Sequence, residues 1–382
     1  MSPDGSLITY HSSLITFMRV IFVNRYFYPD HSATSQMVSD LAFHLASRGR
    51  EVGVITSRQR YDDAGARLAE RETVRGVAVR RVWSTTFGRH FLPGRAVDYA
   101  TFYLSALFAI MNERRATIVA MTDPPMMSVV AALASRRVVN WLQDLFPDVA
   151  IALGMRVPGF VRRIRDWSLR KAKTNVVIGQ SMRVPKAVVI HNWADASLRS
   201  IEVPHENFVV GYSGNLGRAH DVSTMLGAMN RLRGEEIELV ITGGGAKLDE
   251  VRAANLPNIR IEPYAPRERL SESLSAADAH LVTLLPAAEG LVVPSKFYGV
   301  LAVARPVLYV GARDGELALL VRDHDCGIAV ESGNADGLAN AIRALASDRE
   351  RARAMGRRGR ALYEKRFAPE IAFAAWEKVL DA

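Results

Sequence analysis

One cysteine, Cys326, occurs in 382 residues. That excludes an internal disulfide framework and a cysteine-based zinc site, and it fits a reducing compartment. No apolar run approaches the ~18 residues of a membrane span; the longest candidate, Ala100 to Met111, reads as a buried helix. There is no low-complexity tract, zinc-ligand spacing, P-loop or dinucleotide fingerprint, and no serine or cysteine triad is legible. Asp323-His324-Asp325 has no third ligand nearby, so no metal is expected. The absence of an aromatic-interleaved basic motif argues against nucleic acid as a partner. Residues 1–17 lack a basic leader region and a clear cleavage site. They read as a disordered or misassigned start, not a signal peptide, and are set aside.

What is present is the composition of a globular protein, 49% hydrophobic and 23% charged, long enough for two domains. The net charge of +9 is uneven. Residues 1–200 hold 27 Lys and Arg against 15 Asp and Glu, whereas residues 201–382 hold 22 against 25. Within the basic half, Arg156 to Lys173 carries seven bases and one acid, with Phe160, Val161, Ile164 and Trp167 at helical spacing. Such a helix rests on an anionic membrane surface, meets an anionic acceptor, or packs its stripe on its own domain.

Strand and helix patterns alternate along the chain, which predicts parallel βαβ units. A first series runs from Arg19–Val23 through the helix Thr34–Arg48 to Ala187–Ile190, and a second from Phe208–Tyr212 to Gly327–Val330. The polar stretch Ala194 to Glu206 is the natural linker. The fold class expected is α/β: two Rossmann-like, doubly wound parallel sheets facing a cleft, with ligands at the carboxyl ends of the strands. Residues 18–194 form one domain, 195–368 the other, and Pro369 to Leu380 a terminal helix in need of a surface to cover.

Three loops of the second half follow strands and offer backbone amides to a diphosphate. The first holds Gly214, Asn215, Gly217 and Arg218; the second holds Gly243, Gly244 and Gly245. The third is Glu289 to Lys296, where Pro294 suits a first helical turn and Ser295 and Lys296 bring a hydroxyl and a cation to a helix start. In the first half, Tyr28, Ser32 and Thr34 lie in a strand-to-helix loop on the cleft, and Trp141 to Asp148 ends a strand with two carboxylates. Asp144 there can orient or deprotonate an acceptor hydroxyl, or it can bond local backbone.

These residues resemble family 4 glycosyltransferases of the GT-B fold, in the WbuB-type and colanic-acid branch of bacterial polysaccharide enzymes. The resemblance runs from Arg19 to the end and is carried by GYSGNLGRAHD (Gly211 to Asp221), EGLVVPSKFYG (Glu289 to Gly299), WLQDLFPD (Trp141 to Asp148) and YPDHSATSQ (Tyr28 to Gln36). It implies transfer of a sugar from a nucleotide-diphosphate sugar with retention at the anomeric carbon. It implies no cofactor or metal, the donor on the second domain, the acceptor on the first, and a terminal helix that returns to the first. By the same resemblance Asp144, Lys296 and Arg218 are the catalytic candidates. The donor site comprises Gly214, Asn215, Gly217, Gly243, Gly244, Glu289, Pro294, Ser295 and Lys296.

The chain departs from the family in several places. Where relatives carry two glutamates eight positions apart, it has Leu291 and Gly299, so the ribose glutamate is missing and Glu289 is the replacement for the first. Asn215 and His220 stand where an Arg and Lys pair is usual, Gln143 where a histidine is frequent, and Gln180 to Lys186 is shorter than in relatives. The function expected is a glycosyltransferase acting on a lipid-linked saccharide in cell-surface polysaccharide synthesis. It would be cytoplasmic and peripheral on the inner membrane face through Arg156 to Lys173. The rival readings are a nucleotide-sugar epimerase and a nucleotide-sugar-binding subunit without activity.

Overall fold

The computed structural model describes residues 18–61, 63, 65–88 and 92–382, so the segment set aside above lies outside it. The first sheet comprises β1 (Val20–Val23), β2 (Val52–Ser57), β3 (Arg71–Val74), β4 (Val77–Val82), β5 (Thr117–Met121), β6 (Val138–Leu142), β7 (Thr174–Val177) and β8 (Ala187–Val189). Its spatial order is β3-β4-β2-β1-β5-β6-β7-β8. Helices α1 (Ala33–Ser47), α2 (Leu92–Met111), α3 (Met127–Ala134), α4 (Asp148–Ala152) and α5 (Gly159–Lys171) connect these strands. The second sheet comprises β9 (Phe208–Asn215), β10 (Ile237–Gly244), β11 (Ile259–Glu262), β12 (Ala279–Thr283), β13 (Val307–Gly311) and β14 (Gly327–Glu331). Its order is β11-β10-β9-β12-β13-β14. Its helices are α6 (Val222–Arg231), α7 (Leu248–Ala254), α8 (Leu270–Ser275), α9 (Lys296–Ala302), α10 (Glu316–Asp323), α11 (Ala335–Ser347), α12 (Arg349–Arg366) and α13 (Pro369–Asp381).

The central strands are short apolar runs because helices cover both faces. VIFV of β1 and VLYVG of β13 are buried throughout. In each sheet the winding reverses at the first strand, β1 between β2 and β5 and β9 between β10 and β12. That reversal opens a crevice at the carboxyl ends of the strands. The exception to parallel pairing is β3, which the pattern reading missed. It is an antiparallel edge strand beside β4, and its Arg-Glu-Thr-Val sequence is too exposed to show any alternation.

Two helices differ from expectation on their outer faces. Ala100 to Met111 is not a wholly buried helix. Phe102, Ala106, Ala109 and Ile110 of α2 face the sheet, while Leu104 and Phe108 are 58% and 63% exposed. The helix lies on the outside of the sheet, so one face alone finds a partner. On α5, Arg165, Ser168 and Leu169 point inward, Val161 and Trp167 are half-buried, and Phe160 and Ile164 are exposed, so the apolar stripe packs on its own domain only in part. Buried Arg165 instead holds the start of α4 through Asp148 Oδ2 and the Phe146 carbonyl.

The last helix crosses from the second sheet to the first. Trp376 on α13 is fully buried with its ring 4.6 Å from Trp141 on β6, and Phe373 lies 5.1 Å from Trp193 and 4.5 Å from His44 on α1. His44 and Arg50 reach Glu377 and Asp381 on its polar side. The apolar cluster under this helix runs unbroken from one sheet to the other.

Removing a buried indole from such a cluster costs about 3–5 kcal/mol. Trp376→Ala therefore lowers the midpoint of thermal unfolding by several degrees, whereas Glu377→Gln, half-exposed, shifts it little. Equal midpoints for Trp376→Ala and the wild type would show that α13 does not fasten the two halves.

Candidate active site

The site begins where β9 and β10 run past the core into glycine. In register Gly214 faces Gly243 and Asn215 faces Gly244. Gly243 has φ +144°, and a Cβ there would meet the Gly214 carbonyl oxygen at 2.3 Å, so no side chain fits. The loops beyond are joined by Leu216 N–H donating to Gly244 O at 2.6 Å and Lys247 N–H to Leu216 O at 3.1 Å. The two glycine loops form one backbone floor, and a Cβ on Gly214 would sit 3.1 Å from Cε of Lys296.

Lys296 opens α9 and lies across this floor. Its Nζ is 3.4 Å from His220 Nε2 and 5.1 Å from the centre of the Tyr212 ring. The His220 Nδ1 is 2.8 Å from the Thr283 carbonyl, a contact only an Nδ1–H can make, which leaves Nε2 to accept from the ammonium. Burial and the Lys296 charge push His220 down to about 3, so it is neutral. Burial lowers Lys296 to about 8. No hydrogen bond or ion pair joins Lys296 to a carboxylate among the described residues. A largely buried ammonium held by a neutral imidazole and a ring face is left with capacity for an external anion.

The other donor-side candidates divide. Arg218 and Asn215 are exposed on the same loop, with Gly217 between them, and Arg218 makes no ion pair among the described residues. Ser295 is exposed and Pro294 buried at the turn. The helix start has fewer free amides than its sequence suggests. Phe297 N–H already donates to Pro294 O and Tyr298 N–H to Ser295 O. Glu289 does not face the glycine floor. Its Oε1 accepts the N–H of Glu316 at 3.0 Å and caps α10. Gly299, where a ribose carboxylate was expected to be missing, lies against Leu274.

A strap joins this side to the first domain. Leu145 N–H donates to Leu291 O at 2.8 Å, and Asp144 pairs through the backbone with Val292, four residues before Lys296. The short segment after β7 docks here as well, with Ser181 N–H and Oγ both donating to Glu316 Oε2 at 3.0 and 2.9 Å. Asp144 Oδ1 is covered and has no hydrogen-bond partner. Burial, then the Asp123 charge, raise its carboxyl to about 7.

Asp123 was missed in the sequence, although it follows β5 just as Asp144 follows β6. Burial raises it to about 6 against the pull of Arg25 and Arg95, and the Thr34 hydroxyl donates to it. Thr34 therefore reaches the carboxylate pair. Ser32 N–H donates to Asp30 Oδ1 at 2.8 Å, and its hydroxyl is buried without a partner. Tyr28 turns aside to pack between Phe43 and Arg75. Gln143 is locked to Asn192 by two amide hydrogen bonds of 3.1 and 2.7 Å. Far from the cleft, Asp325 pairs with Arg358 at 2.7 Å. Among the described residues no three or more His, Cys, Asp or Glu are grouped to hold a metal.

A glycine floor on one sheet and paired carboxyls on the other, strapped across a cleft, fit the two-domain GT-B architecture. Comparison with known proteins agrees. Residues 32–207 match the glycosyl transferase 4-like domain and residues 207–348 the glycosyl transferases group 1 domain. The chain is 22% identical over 372 residues to the putative colanic acid biosynthesis glycosyl transferase WcaI of Escherichia coli, covering 85% of this chain and 91% of that one. It is 25% identical over 267 residues to the probable glycosyltransferase WbjE of Pseudomonas aeruginosa, covering 61% and 67%. In fold it is similar to a sucrose-phosphate synthase from Thermosynechococcus elongatus, with TM-score 0.76, 15% identity and 95% and 98% of the two chains covered. It is also similar to Anabaena HepE in complex with UDP and glucose, with TM-score 0.71, 16% identity and 96% and 100% covered. The chain belongs to the family 4 glycosyltransferases, in their bacterial polysaccharide branch.

Carboxyl NMR on Asp144 tests the geometry directly. Its titration midpoint lies near 7, and Asp123→Asn, by removing a negative neighbour, lowers it. A midpoint in the ordinary carboxylate range would mean that Asp144 is solvated and not covered by the strap.

Proposed function

We propose that this glycosyltransferase is retaining and metal-independent, and that it moves a sugar from a nucleotide-diphosphate donor to a lipid-linked saccharide in cell-surface polysaccharide synthesis. The observation that carries the reading is Lys296, an ammonium without a carboxylate partner beside a glycine floor that only backbone can approach. In a transfer the main developing charge is on the departing diphosphate. Lys296 and exposed Arg218 supply the compensating charge. The acceptor hydroxyl then attacks from the same face, oriented by Asp144, whose carboxyl near 7 can exchange a proton at neutral pH. The complexes of HepE with UDP and with UDP-glucose support a nucleotide sugar as the donor class.

The lipid-linked acceptor is supported by the outer face of the first domain. Ile151, Met155, Phe160 and Ile164 are exposed there beside Arg156, Arg162 and Arg163, which suits peripheral contact with an anionic bilayer on the cytoplasmic side. Among the described residues no helix is long and apolar enough to cross a membrane. A second reading, a nucleotide-sugar-binding subunit without transfer, is favoured by two details: Glu289 is engaged in capping α10, and Gly299 offers no carboxylate to a ribose.

Incubating the protein with UDP, GDP and dTDP sugars, with and without membrane extract, separates these readings, since the second binds a donor without releasing nucleotide. Lys296→Ala lowers turnover by at least about a hundredfold, the usual effect of losing one donor aimed at developing charge. EDTA leaves the rate unchanged, and the product keeps the donor's anomeric configuration by NMR. Because the Lys296 ammonium deprotonates near 8, affinity for the nucleoside diphosphate falls as pH rises through that value, and in Lys296→Met this dependence is absent. A near-normal rate for Lys296→Ala, or inversion of configuration, would refute the mechanism.

A further inference from the structure

Beside the cleft, at the far side of the first sheet, lies a pocket of about 360 Å³ that the transfer chemistry does not use. Arg58, Gln59 and Arg67 line it from the loop after β2, and Trp83, Thr86 and Phe87 from the loop after β4. Trp83 and Phe87 are 62% and 60% exposed, and among the described residues no carboxylate lines the pocket. Large aromatic faces turned to solvent are costly unless they meet a ligand, and a flat ring beside hydroxyls and guanidinium groups is the chemistry of an anionic sugar.

The walls are held from below. Buried Gln59 accepts from Arg25 at 3.1 Å and donates to Ser84 Oγ at 3.2 Å and Thr85 O at 2.8 Å. Buried Asp98 on α2 accepts from Thr85 Oγ1 at 2.7 Å and from the N–H groups of Phe87 and Gly88, each at 3.0 Å. Arg25 lies 3.6 Å from Asp98 and neutralises it. Arg58 spends its Nε–H on Leu68 O at 3.2 Å and Arg67 one N–H on Ala66 O at 3.2 Å, and neither has an ion-pair partner among the described residues. The same loop is fastened to the cleft rim, where Tyr61 N–H donates to Asp30 Oδ2. The pocket walls are thus hydrogen-bonded to a buried layer, its described lining is positive, and one backbone N–H ties its loop to the loop that carries Ser32 and Thr34.

We propose that this pocket binds an anionic sugar unit of the acceptor, its ring stacked on Trp83 and its negative group, a carboxylate or a phosphate, held by Arg58 and Arg67. The proposal rests on the glycosyltransferase reading and deepens it by naming the acceptor class. From the end of β2 to the end of β6 is three strand spacings, roughly 14 Å. The anionic unit is therefore not the one whose hydroxyl reacts at Asp144 but a neighbour further along the chain. The pocket acts as a specificity element, reading the saccharide beyond the point of transfer.

Calorimetry tests this on the full chain with three probes of equal length: a hyaluronan tetrasaccharide bearing uronates, neutral chitotetraose, and chitotetraose 1-phosphate. The expected result is that at least one anionic probe binds about tenfold or more tightly than the neutral one, as a bidentate arginine contact implies. Which anionic probe is preferred identifies carboxylate or phosphate as the recognised group. Arg67→Gln, exposed and safe for folding, and Arg58→Gln abolish the preference, while Trp83→Ala weakens all three probes. Equal binding of neutral and anionic probes, or an unchanged preference in Arg67→Gln, overturns the proposal. Donor binding measured in the same samples keeps the two readings apart. Its absence in the wild type removes the transferase reading, whereas its presence without anion preference removes this inference alone.

Discussion

The arrangement depends on a largely desolvated ammonium with no carboxylate partner among the described residues. Lys296 is desolvated against Tyr212 and the glycine floor, and among the described residues its polar side-chain contact is with a neutral imidazole. Such a group is normally paired or discharged. Here its proton is retained at neutral pH because the loss is partial, and the free bonding capacity faces the cleft. Everything around it preserves that condition. Gly214 and Gly243 keep side chains away, and Thr283 fixes the His220 tautomer so that Nε2 accepts and does not compete as a cation.

The opposite wall carries the complementary problem. Asp123 and Asp144 are two carboxyls brought to adjacent strand ends; burial raises both, with the Asp123 charge adding to the rise of Asp144 and the Asp30 charge to that of Asp123. A strap from the second domain closes over them, since the chain between Glu289 and Lys296 bonds to the Asp144 segment on its way to α9. One short stretch therefore caps α10 with Glu289, covers Asp144 with Val292 and delivers Lys296. The charge of the cleft is divided by domain, cation on one side and titratable acid on the other, and the strap sets their separation.

Much of the fold was legible because buried parallel strands have to be short apolar runs bounded by turns, and the alternation of such runs with helices leaves few topologies. The edge strand β3 was not legible, since an exposed Arg-Glu-Thr-Val carries no periodic signal. The glycines and Lys296 that the structure brings together were noticed in the sequence because each answers a local requirement of backbone or charge. Asp123 could have been found by the rule that drew attention to Asp144, a carboxylate directly after a buried strand. Tyr28 and Glu289 misled for the opposite reason. Each has a residue type suited to the cleft, and each is drawn away by a neighbour distant in sequence, Tyr28 by Phe43 and Arg75, Glu289 by the start of α10.

By itself the sequence determined what depends on neighbours along the chain: two wound sheets, which strand ends run into glycine, and the basic character of the first half. Tertiary structure decided what depends on residues far apart meeting. It made His220 a neutral acceptor, raised Asp144 by setting Asp123 and the strap beside it, turned Phe160 and Ile164 outward, and gathered Arg58, Arg67 and Trp83 around one pocket. The physical reason is that burial and electrostatic environment are properties of a place in space. A residue's type restricts its possible roles, and only the groups packed around it select among them.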